Sequence, residues 1–349
     1  MSKLFRYIDV LKRTRLGFDL PPAGLWNYLK HKISPYSAEI GPTSLAPITV
    51  TLFITDRCNL SCRFCCRGMM LKAKANDWQS LEMTVETANQ VLDLPITRRA
   101  LAVALAGGEP LLNQALPGII RSVKQRKKQC GIVTNGILLR ERLMDLKKER
   151  ADEVIVSIYD DTIEKLTKIL PQVCPQITVN TSYVLTRSTL ENEPHVIDDV
   201  ISLCRESGCR SLKFNVCVPF DGNESETFFD DCEAYRDLMR KQRERNDSFK
   251  IFFPEPPKRI ISTPDDKACR LPWQKIQVDA LGRGFMCCGY TTSTGSDLYF
   301  DAFAQNDKES FNSPRMTSLR KAILANNTAV PEFCRSCPHI SGGSFAAHV

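Results

Sequence analysis

ITVTLFITDRCNLSCRFCCRG, residues 48–68, changes character at Asp56. Its first seven residues are β-branched and apolar, which reads as a strand. Immediately after the strand come three thiols spaced C-x3-C-x2-C: Cys58, Cys62 and Cys65. A strand end that carries several metal-ligand side chains is where a β/α architecture builds its site, so the rest of the chain is read outward from here.

Five more β-rich runs follow: LAVALAG (101–107), CGIVTN (130–135), EVIVSIY (153–159), ITVNTSYVL (177–185) and SLKFNVCV (211–218). Helical patterns lie between them, among them VETANQVLDL, ERLMDLKKER and HVIDDVISLCRESG. Alternating units of this kind imply parallel strands joined by helical crossovers. The expected fold class is α/β, a partial (β/α)6 TIM-like barrel over residues 47–262. An N-terminal helical arm (1–46) with LWNYLKHKI as its clearest amphipathic piece precedes it, and a small cysteine-rich module (263–349) without β-α rhythm follows.

The formal charge of +7 lies in short runs such as Lys124–Lys128 and Lys147–Arg150, beside opposite charges or on helix faces, as solvated helix surface does. No basic stripe with interleaved aromatics points to nucleic acid. No run reaches the roughly 18 apolar residues of a membrane span, and MSKLFRYIDVLKR lacks a signal-peptide apolar region; a cytoplasmic protein is expected. Fifteen cysteines in such a chain favour metal or redox roles over a disulfide framework.

Iron–sulfur cubes normally take four thiolates, so three on one tight loop leave one iron open. The alternative is zinc or a set of buried thiols, but structural zinc prefers four protein ligands, commonly in paired C-x2-C units. With GGEP (Gly107, Gly108, Glu109, Pro110) at the end of the second strand, the pattern resembles the radical S-adenosylmethionine (SAM) superfamily. That resemblance implies a [4Fe–4S] cluster on Cys58, Cys62 and Cys65 whose open iron chelates SAM. One electron then cleaves SAM to methionine and a 5′-deoxyadenosyl radical that abstracts a substrate hydrogen. It also implies that Phe64 packs near the adenine, that GGEP meets the amino group of SAM, and that Asn135 (in TNG) and Ser157 (in SIYD) touch its methionine or ribose part. Cys66 is an extra neighbour that the family spacing leaves out.

Strand six alternates, Leu212, Phe214, Val216 and Val218 against Lys213, Asn215 and Cys217. The polar set is expected to face the barrel interior. Lys213 and Asn215, with Tyr159 and Tyr183 from other strands, are candidates for substrate recognition or proton transfer, and Cys217 for hydrogen-atom donation; packed interior polar groups are the alternative.

In the C-terminal module Cys269, a G-x4-C element ending at Cys287, and Cys334 with Cys337 supply four thiols. They resemble the auxiliary-cluster extension of radical SAM proteins called SPASM, or twitch when shortened, and imply one auxiliary [4Fe–4S] cluster. Four cysteines including C-x2-C also suit zinc, and Cys288 adjoins Cys287 as a substitute ligand. Cys130, Cys174, Cys204, Cys209 and Cys232 read as ordinary packed or surface thiols.

The leading expectation is radical oxidation or epimerisation of a small polar alcohol, a sugar or aminocyclitol, because the single four-cysteine module resembles that of a radical aminocyclitol dehydrogenase. The second is a maturase that cross-links or epimerises a ribosomally made precursor peptide. A third, from another class, is a non-catalytic iron–sulfur carrier, which has no need of GGEP. Expected partners are a small-molecule or peptide substrate and a flavodoxin- or ferredoxin-type reductant, with neither nucleic acid nor membrane.

Overall fold

The computed structural model describes residues 22–41, 44–62, 65, 81–217, 224–244, 248–256, 269–286, 299–306, 308–325 and 334. Six β/α units run in sequence as expected. Strands β1 (Thr49–Thr55), β2 (Ala102–Gly107), β3 (Gln129–Thr134), β4 (Glu153–Ile158), β5 (Thr178–Leu185) and β6 (Ser211–Val216) lie side by side in chain order, and every adjacent pair is parallel. Because parallel neighbours need a crossover, a helix separates each pair: α2 (Val85–Asp93), α3 (Leu116–Gln125), α4 (Leu139–Lys148), α5 (Ile163–Val173), and the α6 (Arg187–Glu191) and α7 (Pro194–Glu206) pair. The earlier helix α1 (Pro22–Ile33) is LWNYLKHKI of the arm with a short lead-in.

Strand alternation separates two faces. Val154, Val156 and Ile158 on β4, with Val50, Leu52 and Ile54 on β1, are buried with the apolar faces of the helices in one core. Burying each such side chain contributes roughly 1.5–3 kcal/mol. The alternate residues, among them Ala104 and Ala106 on β2, Ser157 on β4, Ser182 and Val184 on β5 and Lys213 and Asn215 on β6, are only half-buried and occupy the opposite, helix-free face.

The sheet is wider than six strands. The helix α8 (Glu233–Glu244) leads to β7 (Lys250–Phe252), which pairs parallel with β6. Across residue 263, the short helix α9 (Leu271–Gln274) leads into β8 (Lys275–Asp279), which pairs parallel with β1. Antiparallel β9 (Arg283–Phe285) and β10 (Phe300–Asp301) complete a ten-stranded sheet. The expected lack of β-α rhythm in the C-terminal part is therefore corrected at 271–279, where LPWQ and KIQVD form one more helix-strand step too short to stand out by periodicity.

The arm is tied to the entry of β1 and to the C-terminal part. Asn27 Nδ2 donates to the Ala46 carbonyl at 2.9 Å, while its Oδ1 accepts from Ala46 N at 3.0 Å, fixing α1 to the entry of β1. Trp273 Nε1 donates to the Ser37 carbonyl at 2.6 Å. Arg320, fully buried on α10 (Pro314–Ala325), donates to the carbonyls of Ala38 at 2.9 Å and Phe311 at 2.6 Å. Among the described residues no helix is long and apolar enough to cross a membrane.

Candidate active site

GGEP is a shelf pressed against the end of β1. Gly108 N donates to the Thr55 carbonyl and Glu109 N to the Arg57 carbonyl, both at 2.7 Å. A Cβ on Gly108 would sit 2.1 Å from the Arg57 carbonyl oxygen, and one on Gly107 2.2 Å from that of Thr55. Gly107 also has φ of +137°, a conformation that L side chains rarely adopt. The two glycines are required by the close passage of the backbone that leads into the cysteine loop. Pro110 is buried at the start of a 3-10 turn (Pro110–Leu112).

Glu109 is completely buried. Its Oε1 accepts from Leu111 N at 3.0 Å and from Thr134 Oγ1 at 2.7 Å, and its Oε2 accepts from Asn135 N at 2.8 Å. Burial pushes its carboxyl above the usual range, opposed by the Asn135 and Leu111 amides and the Thr134 hydroxyl. Three donors fix the carboxylate from the protein side, and an ionised carboxyl has about four lone-pair sites, so it keeps capacity for one more donor.

The three thiols stand together at the end of β1. Cys65 N donates to the Cys62 carbonyl at 3.2 Å, closing a turn; Cys58 is exposed and the other two half-buried. Burial pushes the Cys62 thiol up to about 11, and the charges of Cys65, Cys58 and Asp161 add to it, while a hydrogen bond from the Tyr159 hydroxyl opposes the rise. Burial likewise raises Cys58, with Glu109 and Cys65 adding to the effect. Such crowded thiols hold their protons alone and release them to a cationic centre, which inverts local acid–base preferences. Among the described residues no three His, Cys, Asp or Glu side chains converge as ligands of a single metal ion; a cube takes one thiolate on each of three irons, and the donor set of the loop, three cysteines, is that number. Phe64 and Cys66 lie outside the described residues.

Strand register brings the remaining candidates to one face. Ser157 on β4 is level with Ser182 on β5, which is level with Lys213 on β6. Asn215 lies two residues further along, and Tyr159 follows β4 beside Cys62. Cys217 shares that alternation but is buried, its N–H donating to the Leu185 carbonyl at 2.9 Å. Tyr183 does not face the interior: its neighbours 182 and 184 do. Its ring packs on Phe214 in the helix-side core, and its hydroxyl donates to Asp160 Oδ1 at 2.6 Å.

Several participants escape a sequence reading. Asn59 Oδ1, between Cys58 and Cys62, accepts from Asn135 Nδ2 at 2.7 Å. Asn113 Nδ2 donates to the Ile54 carbonyl at 2.6 Å, and Thr55 Oγ1 to Glu82 at 2.6 Å. Position inside C-x3-C and inside TNG is the only local signal for Asn59 and Thr134.

In the C-terminal part Cys269 is half-buried and Cys334 buried, whereas Cys287, Cys288 and Cys337 lie outside the described residues. Cys130, Cys204 and Cys209 are buried, and half-buried Cys174 touches Cys209, sulfur to sulfur, at 3.6 Å.

The profile of the Radical SAM superfamily matches residues 52–232, the part of the chain that holds the second half of β1, the cysteine loop, the GGEP shelf and strands β2 to β6. The chain belongs to this superfamily. A radical SAM protein holds a [4Fe–4S] cluster and SAM, and here Cys58, Cys62 and Cys65 would ligate the cluster with the GGEP shelf beside it. Among curated relatives, the antilisterial bacteriocin subtilosin biosynthesis protein AlbA of Bacillus subtilis is 23% identical over 307 residues, 83% of this chain and 64% of its own. The PqqA peptide cyclase of Granulibacter bethesdensis is 25% identical over 169 residues, 44% and 43% of the two chains. The GTP 3′,8-cyclase of Aquifex aeolicus is 32% identical over 121 residues, 34% and 37%. The chain thus spans less than two thirds of each of these relatives. Among solved structures, Streptococcus suis SuiB bound to S-adenosylmethionine shares the fold with a TM-score of 0.58 at 18% identity, covering 86% of this chain and 73% of SuiB. SuiB has also been solved bound to its precursor peptide SuiA.

Proposed function

We propose that this radical SAM enzyme modifies a ribosomally made precursor peptide, by cross-linking or epimerising a residue. The observation that carries the reading is the similarity to AlbA over 83% of the chain, supported by the peptide-directed names of the PqqA cyclase and of SuiB with its peptide. The sugar or aminocyclitol expectation finds no such support among these relatives. The reducing partner remains a flavodoxin- or ferredoxin-type protein in this reading, and the reaction is formally an oxidation when a cross-link forms.

When bound, the cluster and SAM supply a 5′-deoxyadenosyl radical. Glu109, held by Leu111, Thr134 and Asn135, is aimed to accept from the ammonium of SAM. In this reading Ser157 on β4 would meet SAM, as the family pattern implies. Lys213 and Asn215, level with or near Ser182 in strand register, would orient a substrate backbone or move a proton. Cys217, buried at the end of β6, is kept from bulk solvent as a hydrogen donor must be. In the C-terminal part, residues 263–349, Cys269, Cys287, Cys334 and Cys337 would hold an auxiliary [4Fe–4S] cluster able to take up the electron released on substrate oxidation. Iron–sulfur potentials, roughly −700 to +450 mV, leave room for that role.

The test is anaerobic reconstitution with iron, sulfide, SAM and dithionite, with and without a peptide encoded beside this gene. The peptide should raise 5′-deoxyadenosine release above enzyme alone. It should lose two hydrogens by mass, or take up deuterium from heavy water without other mass change. Turnover with sugars or aminocyclitols and none with the peptide would reverse the reading.

A further inference from the structure

The motif resemblance assigns Asn135 to SAM, yet its side chain is committed elsewhere. Its Nδ2 donates to Asn59 Oδ1 at 2.7 Å, its Oδ1 accepts from Ile137 N at 3.1 Å, and its backbone N–H donates to Glu109 at 2.8 Å. Asn135 is 6% exposed, held on the end of β3, whereas Asn59 rides on the exposed loop between Cys58 and Cys62. One residue therefore joins three parts of the site: the strand end, the carboxylate of GGEP and the cysteine loop.

We infer that Asn59 and Asn135 are a positioning pair that pins the stretch between Cys58 and Cys62 to the Glu109 shelf and presets the thiolates for the cluster. A C-x3-C loop has freely rotating backbone between its ligands, and ordering it costs about 1–2 kcal/mol of conformational entropy per residue. At its start the loop is already stapled by the amides of Gly108 and Glu109 to the carbonyls of Thr55 and Arg57. The Asn59 bond is the next anchor along the chain, joining the interior of the loop to the end of β3. Such outer-shell hydrogen bonds commonly hold metal ligands in place, and their loss typically costs 10- to 100-fold in metal affinity.

The inference rests on the radical SAM reading of the cysteine loop, and the experiment separates the two. Wild type, Asn59→Ala and Asn135→Ala are reconstituted anaerobically in a background with Cys269, Cys334 and Cys337 replaced by alanine, so that only one cluster reports, and iron per chain and the rate of iron loss to a chelator are measured. Asn59→Ala should lose iron about tenfold or more faster, within the range typical of outer-shell loss. Asn59 is exposed, so its variant should melt at the wild-type temperature in the iron-free form. Wild-type rates of iron loss in both asparagine variants would overturn the pair's role. A wild-type chain that takes up no iron would instead overturn the cluster reading itself.

Discussion

Gly108 has no room for a methyl group, and the obstruction is main chain. The Arg57 carbonyl oxygen 2.1 Å from its would-be Cβ belongs to the backbone that carries the cysteines, so relief would have to move the loop. Gly108→Ala is expected to cost roughly 1–3 kcal/mol, the usual range for overpacking, and to lower iron content together with melting temperature. Glu109→Gln tests the neighbouring residue. It keeps the shape but turns an NH2 toward one of three protein donors, leaving buried polar groups unpaired at about 1–3 kcal/mol. The iron-free chain should therefore melt lower, by differential scanning calorimetry, and SAM should bind more weakly. Gly107, Gly108 and Glu109 were legible in the sequence as a motif. Why each is needed was not, since the glycines meet the carbonyls of Thr55 and Arg57 far upstream, and the Glu109 carboxylate meets Thr134 and Asn135 one strand downstream.

At the scale of elements, helices α3 and α4 are joined by a bidentate pair, Arg121 Nε to Glu149 Oε2 at 2.9 Å and Nη2 to Oε1 at 2.5 Å. The hydrogen bonds from Arg121 hold the Glu149 carboxyl below its ordinary range. A carboxyl depressed in the folded state adds stability that is present above its unfolded value, near 4.3, and lost as pH falls through the folded one. The gap in melting temperature between wild type and Arg121→Ala should thus be constant at neutral pH and close below about pH 4; a gap unchanged at pH 3 would deny the pair that role. Six strands and their crossovers were readable because each hydrophobic period is local. β7 and β8, of three and five residues, carry too little pattern to be legible. Tyr183 is illegible for a related reason: alternation fixes which residues share a face, but the neighbouring helices decide which face is inner.

Across the whole molecule, the fully buried Arg320 guanidinium is the crossing point between the N-terminal arm and the C-terminal part, donating to Ala38 and Phe311 carbonyls and to Asn312 Oδ1 at 3.1 Å. Arg320→Ala removes these charge-assisted bonds and leaves carbonyls unpaired, at roughly 3 kcal/mol or more, and the urea midpoint should fall accordingly. Replacing Cys58, Cys62 and Cys65 by alanine should instead abolish SAM cleavage while the far-ultraviolet circular dichroism of the chain stays that of an α/β protein, because the loop lies outside the core. The sequence by itself determined the β/α order, the three thiols and the GGEP shelf, since each is written in contiguous residues whose spacing carries its own chemistry. Only the tertiary structure decided that β8 closes onto β1, that Arg320 ties the arm down, and that Asn59 meets Asn135. Those partners are separated by 76 to 282 residues for the side-chain contacts, and no local period encodes which distant groups a folded sheet brings within hydrogen-bonding distance.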